Sequence, residues 1–516
     1  MNRKHQFVLS KIVATLGPAS SDVEAIGELI QAGARVFRVN FSHGTFDDFD
    51  RMLKNVREAA KEEDRFIGVL GDLSGPKIRV GKVVDEGVQL EAGRTVRFVS
   101  EAEATQTPGR VDEPVVFSVT QGGFLDDVCE GQRVFLDDGN VRLTCVEQFK
   151  TGGAFLECTV EVGGKITTGK GINLPDTDLS LPSLTEWDHK CIDFAVDAGF
   201  DFLALSFVRR AEDVKELKHR LRELGARPKC PSTDDPSAGQ CFSTFGSDLH
   251  SFVPVIAKIE KPQAMEHLDE IVEEADVIMV ARGDLGVEMD VAEVPVCQKE
   301  IVHTAHHRGK PTIVATQMLQ SMIESPVPTR AEATDVANAI FDGADAVMLS
   351  GETAVGKYPV ETVKTMRRIN RKANDHRLER GMEFRQPANI REGKFRTAAL
   401  AHGVKVISKD LDAKLIVLWS ELGGGASYMA QNKLPVPVIT FSESTSALRR
   451  MSLLYGVVGR KMQRPKSADT FLHAVDDLLL KNDWATRGDP IVVVMGEPIG
   501  KAGLTNKILI HHVGEM

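Results

Sequence analysis

The chain has 516 residues, room for roughly three domains at about 150 residues each. Hydrophobic residues make up 42% and charged residues 27%, which excludes a mainly disordered chain and a collagen-like one. With 63 Lys and Arg against 74 Asp and Glu the formal net charge is −11, which argues against a general binder of nucleic acid or anionic membranes and leaves room for a local basic pocket. No stretch approaches the ~18 apolar residues of a membrane span. Met1–Ser10 lacks the apolar core and cleavage site of a secretory signal. The 7 cysteines form no CxxC pair, so a reducing, cytoplasmic compartment is expected, with neither a zinc site nor a disulfide framework.

Short β-branched runs alternate with stretches of helical period, the mark of a parallel α/β fold. Eight runs are expected to be strands: Lys11–Gly17, Val36–Phe41, Phe66–Asp72, Phe202–Phe207, Val253–Glu260, Val277–Gly283, Pro311–Thr316 and Ala346–Ser350. Helices are predicted between them, for example over Phe49–Glu62 and Ala211–Leu224. A further helix runs to Asp342, with Thr329 and Glu332 as a capping box and Gly343 as its stop. Eight parallel strands predict a (β/α)8 TIM barrel, assigned to residues 1–75 and 180–385. Between the third and fourth runs, 76–179 is rich in Gly and Val with turn signals, and Arg133–Leu143 reads as a hairpin turning at Asp-Gly. This is an all-β domain inserted at a strand end, placed to act as a lid. Residues 386–516 alternate again and form a C-terminal α/β domain. The Pro-, Ser- and Gly-rich stretch 225–250 reads as a long surface loop.

Polar side chains gather at the C-terminal ends of the barrel runs. These are Arg38, Asn40, Ser42 and His43 after the second, Asp72 at the third, and Lys258 and Glu260 on the fifth. Asp284 follows the sixth, Thr316 the seventh, and Ser350 and Glu352 the eighth. In a barrel these ends share one face, where active sites sit. Glu260 and Asp284 supply hard oxygen donors suited to magnesium. Lys258, two residues before Glu260, points to the same side of its strand. Lysine, metal and Arg38 together make an electrostatic clamp for a phosphoryl group in transfer. The competing view of a structural ion pair loses ground because so many partners sit at matching strand ends.

These residues lie within longer motifs: KIVATLGPAS (11–20), FRVNFSHG (37–44), FLDDGN (135–140), GKGINLP (169–175), SFVRRAEDV (206–214), AKIEKPQAMEHLDEI (257–271), ARGDLGVE (281–288) and the run from 315 to 359. Over nearly its whole length the chain resembles the pyruvate kinase family. The resemblance implies a barrel with an inserted lid and a C-terminal α/β domain, and transfer of the phosphoryl group of phosphoenolpyruvate to ADP. It implies that Arg38 and Lys258 meet the phosphoryl group and that Glu260 and Asp284 hold Mg²⁺ or Mn²⁺, with a second metal travelling with the nucleotide. Backbone N–H groups around Gly283 and Asp284, with the Thr316 hydroxyl, would bind the substrate carboxylate. Asn40, His43, Arg79 and Lys170 would form the nucleotide side. Ser350, Glu352 and Thr316 are candidates for the proton relay to the enolate. A homotetramer is the usual family assembly.

The third-strand motif departs from the family pattern. In potassium-dependent members this region holds K⁺; here Asn40, Ser42, Asp72 and the Leu73 carbonyl persist, but the usual glutamate is Lys77. A fixed ammonium supplies the same charge, so K⁺ is expected not to be required. The C-terminal loop Ser420–Ser427 has lost most of the hydroxyls that bind a sugar-phosphate activator in many members, and Glu421 would repel a phosphate. His306, His307, His511 and His512 are expected to be solvated, and Cys145 and Cys158 to face each other, reduced, across lid strands. Two other functions compete with this one: a metal-dependent lyase acting on pyruvate or phosphoenolpyruvate, which would need no lid carrying Arg79 and Lys170, and a catalytically silent regulatory paralogue, which would have no need of intact Arg38, Lys258, Glu260, Asp284 and Thr316.

Overall fold

A computed structural model describes residues 7–83, 86–100, 113–149, 155–226, 252–388, 396–500 and 504–515. Eight parallel strands close into a barrel: Lys11–Thr15, Val36–Asn40, Gly68–Asp72, Phe202–Val208, Val255–Ile259, Val277–Ala281, Thr312–Ala315 and Ala346–Leu349. Each matches one of the expected runs. Alternate positions serve different cores. Ile12 and Ala14 pack with the surrounding helices, whereas Val13 joins Leu70, Ile256, Met279 and Ile313 in a cluster that continues into the C-terminal domain. The barrel is filled and capped at its N-terminal end, which leaves the other end for chemistry.

The helices follow local capping signals. Arg330–Asp342 begins at the Thr329–Glu332 capping box and stops at Gly343, whose φ of 108° is strained for any residue with a Cβ. Phe46–Glu62 starts three residues earlier than Phe49, because Thr45 and Asp48 also form a capping box.

The insertion is all-β, with a six-stranded sheet and a two-stranded one. Its hairpin joins Arg133–Leu136 to Val141–Phe149 through a turn with Asp138 and Gly139 at positive φ. Cys145 lies opposite Cys158 in the next strand pair, and both are buried free thiols. The stretch 227–251, with Cys230 and Cys241, lies outside the described residues. The C-terminal domain is a five-stranded sheet in which four strands run parallel and Lys507–His512 runs antiparallel at the edge.

Buried ion pairs join the barrel to this domain. Asp201 accepts from Arg57 and Arg449 at 2.8 Å each and from the Val69 N–H at 2.8 Å. Burial raises the pKa of the Asp201 carboxyl, but the two arginines outweigh it and hold the group below its ordinary value. Asp345 pairs with Lys433 at 2.6 Å. The expectation of solvated histidines fails for two of the four. His511 is buried, with Nε2 3.0 Å from Asp476 and Nδ1 3.1 Å from Glu515. His306 is half-buried and bonds to the Arg385 carbonyl at 2.8 Å.

Candidate active site

At the C-terminal mouth of the barrel, the ends of the second, third and fifth strands bring Arg38, Asp72, Lys258 and Glu260 into one ion network. Arg38 Nε donates to Asp72 Oδ2 at 2.6 Å, and Lys258 Nζ lies 3.3 Å from Asp72 Oδ1 and 2.8 Å from Glu260 Oε1. All but Arg38 are buried, and Arg38 is half-buried. Burial works against the Lys258 charge, yet Asp72 and Glu260 outweigh it and hold the ammonium above its ordinary pKa. At Asp72 burial raises the pKa, but Lys258 and Arg38 outweigh it and keep the carboxyl low. Glu260 goes the other way: burial, and after it the charge of Asp284, push its carboxyl up against the pull of Lys258.

A buried carboxylate, pushed up by burial and by the charge of Asp284 beside it, is a site that a divalent cation would relieve. Among the described residues no group of three or more His, Cys, Asp or Glu forms a full metal cage. One or two carboxylates, with the remaining positions left to water and substrate oxygens, is the donor set that magnesium takes. The residues present therefore fit the metal.

The next two strand ends supply hydrogen-bond donors. The helix Arg282–Glu288 opens directly after the sixth strand, and the Gly283 N–H donates to Thr316 Oγ1 at 2.6 Å. Thr316 and Gln317 have φ of 68° and 53°, and Phe207 at the fourth strand has 55°. Left-handed backbone costs such residues about 1–3 kcal/mol each, and it concentrates here at the mouth. Beyond the eighth strand, Glu352 is fully buried, with its oxygens accepting from the N–H groups of Ser350 at 2.7 Å and Leu319 at 3.1 Å. Ser350 Oγ is buried with no hydrogen-bond partner among the described residues.

Across the mouth, an open cavity of about 920 Å³ runs between barrel and insertion and is lined by Ser42, Ser74, Lys77, Arg79 and Trp187, among others. Arg79 donates to the Gly169 carbonyl at 2.9 Å, and Lys170 Nζ pairs with Asp137 at 2.5 Å. Asn40 Oδ1 accepts the Ser42 N–H at 3.2 Å, while His43 is exposed on the following loop. Ser42 donates to Ser74 Oγ at 3.1 Å, and the Leu73 carbonyl accepts from Ser206 at 2.7 Å.

Family models cover most of the chain. One described as "Pyruvate kinase, barrel domain" matches 8–230 and 246–363, and one described as "Pyruvate kinase, alpha/beta domain" matches 398–511. The chain belongs to the pyruvate kinase family. It is 40% identical to the pyruvate kinase of Corynebacterium efficiens over 507 residues and 38% identical to that of Mycobacterium tuberculosis over 505, alignments that cover 98% of both chains in each case. Identity to the pyruvate kinase of Geobacillus stearothermophilus is 38% over 510 residues, covering 98% of this chain and 81% of the relative. As a pyruvate kinase it is a metal-dependent phosphotransferase of glycolysis, moving the phosphoryl group of phosphoenolpyruvate to ADP to give pyruvate and ATP.

In this pyruvate kinase the site also holds groups that the sequence did not single out. Ser206 Oγ accepts from Lys258 Nζ at 2.7 Å. The Phe207 N–H donates to Glu260 Oε2 at 2.7 Å. Arg282 donates to the Thr316 carbonyl at 2.8 Å and pairs with Asp335 at 2.6 Å, which braces the strained turn. The motifs SFVRRAEDV and ARGDLGVE contain all three, but only strand adjacency turns membership of a motif into a contact.

Proposed function

We propose that phosphoryl transfer is carried by Arg38 and Lys258, acting between the carboxylates of Asp72 and Glu260. The observation behind this reading is the buried network around Lys258: its ammonium is fixed by Asp72, Glu260 and Ser206 and needs no reorganisation when charge moves. Glu260 and Asp284 would hold the divalent metal, read as Mg²⁺ or Mn²⁺. When bound, that cation neutralises charge on the phosphoryl oxygens and on the enolate oxygen. The N–H groups of Gly283 and Asp284 and the Thr316 hydroxyl orient the substrate carboxylate. Asn40, His43, Arg79 and Lys170 take the ADP phosphates, and the insertion shuts water out as it closes.

A β-phosphate oxygen of ADP attacks phosphorus, the bond from phosphorus to the enol oxygen breaks, and Arg38 and Lys258 stay on the moving group. The enolate is then protonated on carbon. Thr316 and Ser350 stand on the proton path, and Glu352 fixes the backbone of Ser350.

The monovalent-cation region, made of Asn40, Ser42, Asp72 and Leu73, is read as served by Lys77 in place of K⁺. The domain limits are read as 1–75 with 180–385, 76–179 and 386–516, the assembly as a homotetramer and the compartment as the cytoplasm. No helix among the described residues is long and apolar enough to cross a membrane.

Lys258→Met tests the reading. Turnover of phosphoenolpyruvate and ADP should fall at least ~1,000-fold, the scale of losing one preorganised charge, in a protein with an unchanged circular dichroism spectrum. A rate within tenfold of the parent would remove Lys258 from the chemistry and favour a different role for the whole constellation.

A further inference from the structure

We propose that Glu288 is a positioning residue that latches the inserted β-domain, when closed, onto the helix that carries Asp284. Glu288 is 2% exposed and ends the helix Arg282–Glu288. Its Oε1 accepts from Lys261 Nζ at 2.6 Å and from Asn173 Nδ2 at 2.8 Å. Asn173 belongs to the inserted domain, 115 residues away in sequence. The proposal rests on the reading of Glu260 and Asp284 as the metal carboxylates.

Both carboxylates are tied to this point. Glu288 lies four residues after Asp284, so the two share one face of the helix. Lys261 directly follows Glu260, and its Nζ stands 5.9 Å from the centre of the Phe207 ring. The Phe207 N–H in turn donates to Glu260 Oε2 at 2.7 Å. On the other side, Asn173 sits on the short strand Ile172–Asn173, which pairs with Phe135 and Leu136 of the hairpin. That hairpin carries Asp137, the partner of Lys170. A Cβ placed on Gly139 at its tip would lie 3.6 Å from Val287 Cγ1, so the turn also rests against the same helix.

The two donors to Glu288 differ in kind. A buried carboxylate needs a cation, and Lys261 comes from the barrel itself, so that pair persists whether the insertion is open or closed. Asn173 is neutral and comes from the insertion, so its bond is the part that closure makes and opening breaks. A hydrogen bond to a charged acceptor shifts such an equilibrium by roughly 10- to 100-fold. The latch therefore favours closure when the helix bearing Asp284 and the strand end bearing Glu260 are in place, and water is excluded only then. A broken latch leaves an open site with phosphoenolpyruvate bound. Water then takes the place of ADP: its oxygen bonds to phosphorus, the bond to the enol oxygen breaks, the enolate takes a proton, and pyruvate and inorganic phosphate leave.

The test measures pyruvate, ATP and inorganic phosphate in one reaction of the full-length enzyme with phosphoenolpyruvate, ADP and Mg²⁺. The parent should give one ATP per pyruvate. Asn173→Ala should raise phosphate release at least tenfold and lift the pyruvate-to-ATP ratio above one, with KM for phosphoenolpyruvate within twofold of the parent. Asn173→Asp, which sets a like charge against Glu288, should leak more. Phosphate at the parent level in folded Asn173→Asp would overturn the proposal, whatever happens to kcat. Glu260→Gln, assayed in parallel, separates the two readings. Turnover at the parent rate in that variant would remove the metal assignment, whereas the latch is judged by the phosphate leak alone.

Discussion

Replacing Lys77 by glutamate should make the enzyme depend on potassium. Lys77 lines the open cavity beside Ser42 and Ser74, and also a second, smaller cleft that it shares with Asp284, Phe207 and Lys261. The oxygens that would surround a monovalent cation are already engaged: Asp72 by Arg38 and Lys258, the Leu73 carbonyl by Ser206, and Ser42 by Ser74. An ammonium about 5 Å from a K⁺ ion would repel it by about 3 kcal/mol at an effective dielectric near 20, roughly a 150-fold loss of affinity. A carboxylate there reverses the sign and favours the ion by a similar amount. The assay is pyruvate release in K⁺-free buffer with rising KCl. The parent should run at full rate without K⁺ and respond less than twofold. Lys77→Glu should be slow without K⁺ and recover as KCl is added. A many-fold rise of the parent rate with KCl would refute the reasoning, because the ion would then be bound despite Lys77.

Glu260→Gln and Asp284→Asn should each weaken Mn²⁺ binding, read by the paramagnetic signal of the free ion without any turnover; parent-level affinity in both would place the metal elsewhere. Asp201→Asn should cost about 3 kcal/mol of stability, because it leaves Arg57 and Arg449 without their shared carboxylate at the junction of barrel and C-terminal domain. The Asp201 carboxyl is held below its ordinary value of 3.8, so its contribution is fully present above that pH and fades as pH falls through the lower folded value. Thermal melts should therefore show the gap between parent and Asp201→Asn narrowing as pH falls below 3.8, and a gap that stays constant through the acid range would assign the loss to packing instead.

What could be read from the sequence, and what could not, divides along chain separation. The barrel strands are continuous apolar runs bounded by turns, so each announces itself locally, and the rule that active residues sit at strand ends converts a three-dimensional face into a set of positions along the chain. Arg38, Asp72, Lys258, Glu260 and Asp284 were legible for that reason. The start of the helix Phe46–Glu62 was less so, since Asp48 in the third helical position is a weaker capping signal than the glutamate that marks Arg330–Asp342. His511 illustrates the limit. Alone it reads as one of two adjacent surface histidines, and only the pairing of Lys507–His512 against Pro490–Met495 turns it inward onto Asp476, 35 residues back. Ser206 beneath Lys258 and Asn173 above Glu288 fail for the same reason: their partners lie 52 and 115 residues away. Periodicity fixes which face a residue occupies, whereas a contact needs the relative register of two strands or the docking of one domain on another. The proposed chemistry rests on the first kind of information, and the proposed latch between Asn173 and Glu288 rests on the second. Asn173→Ala, which spares every residue of the strand-end constellation, is therefore expected to uncouple pyruvate release from ATP synthesis.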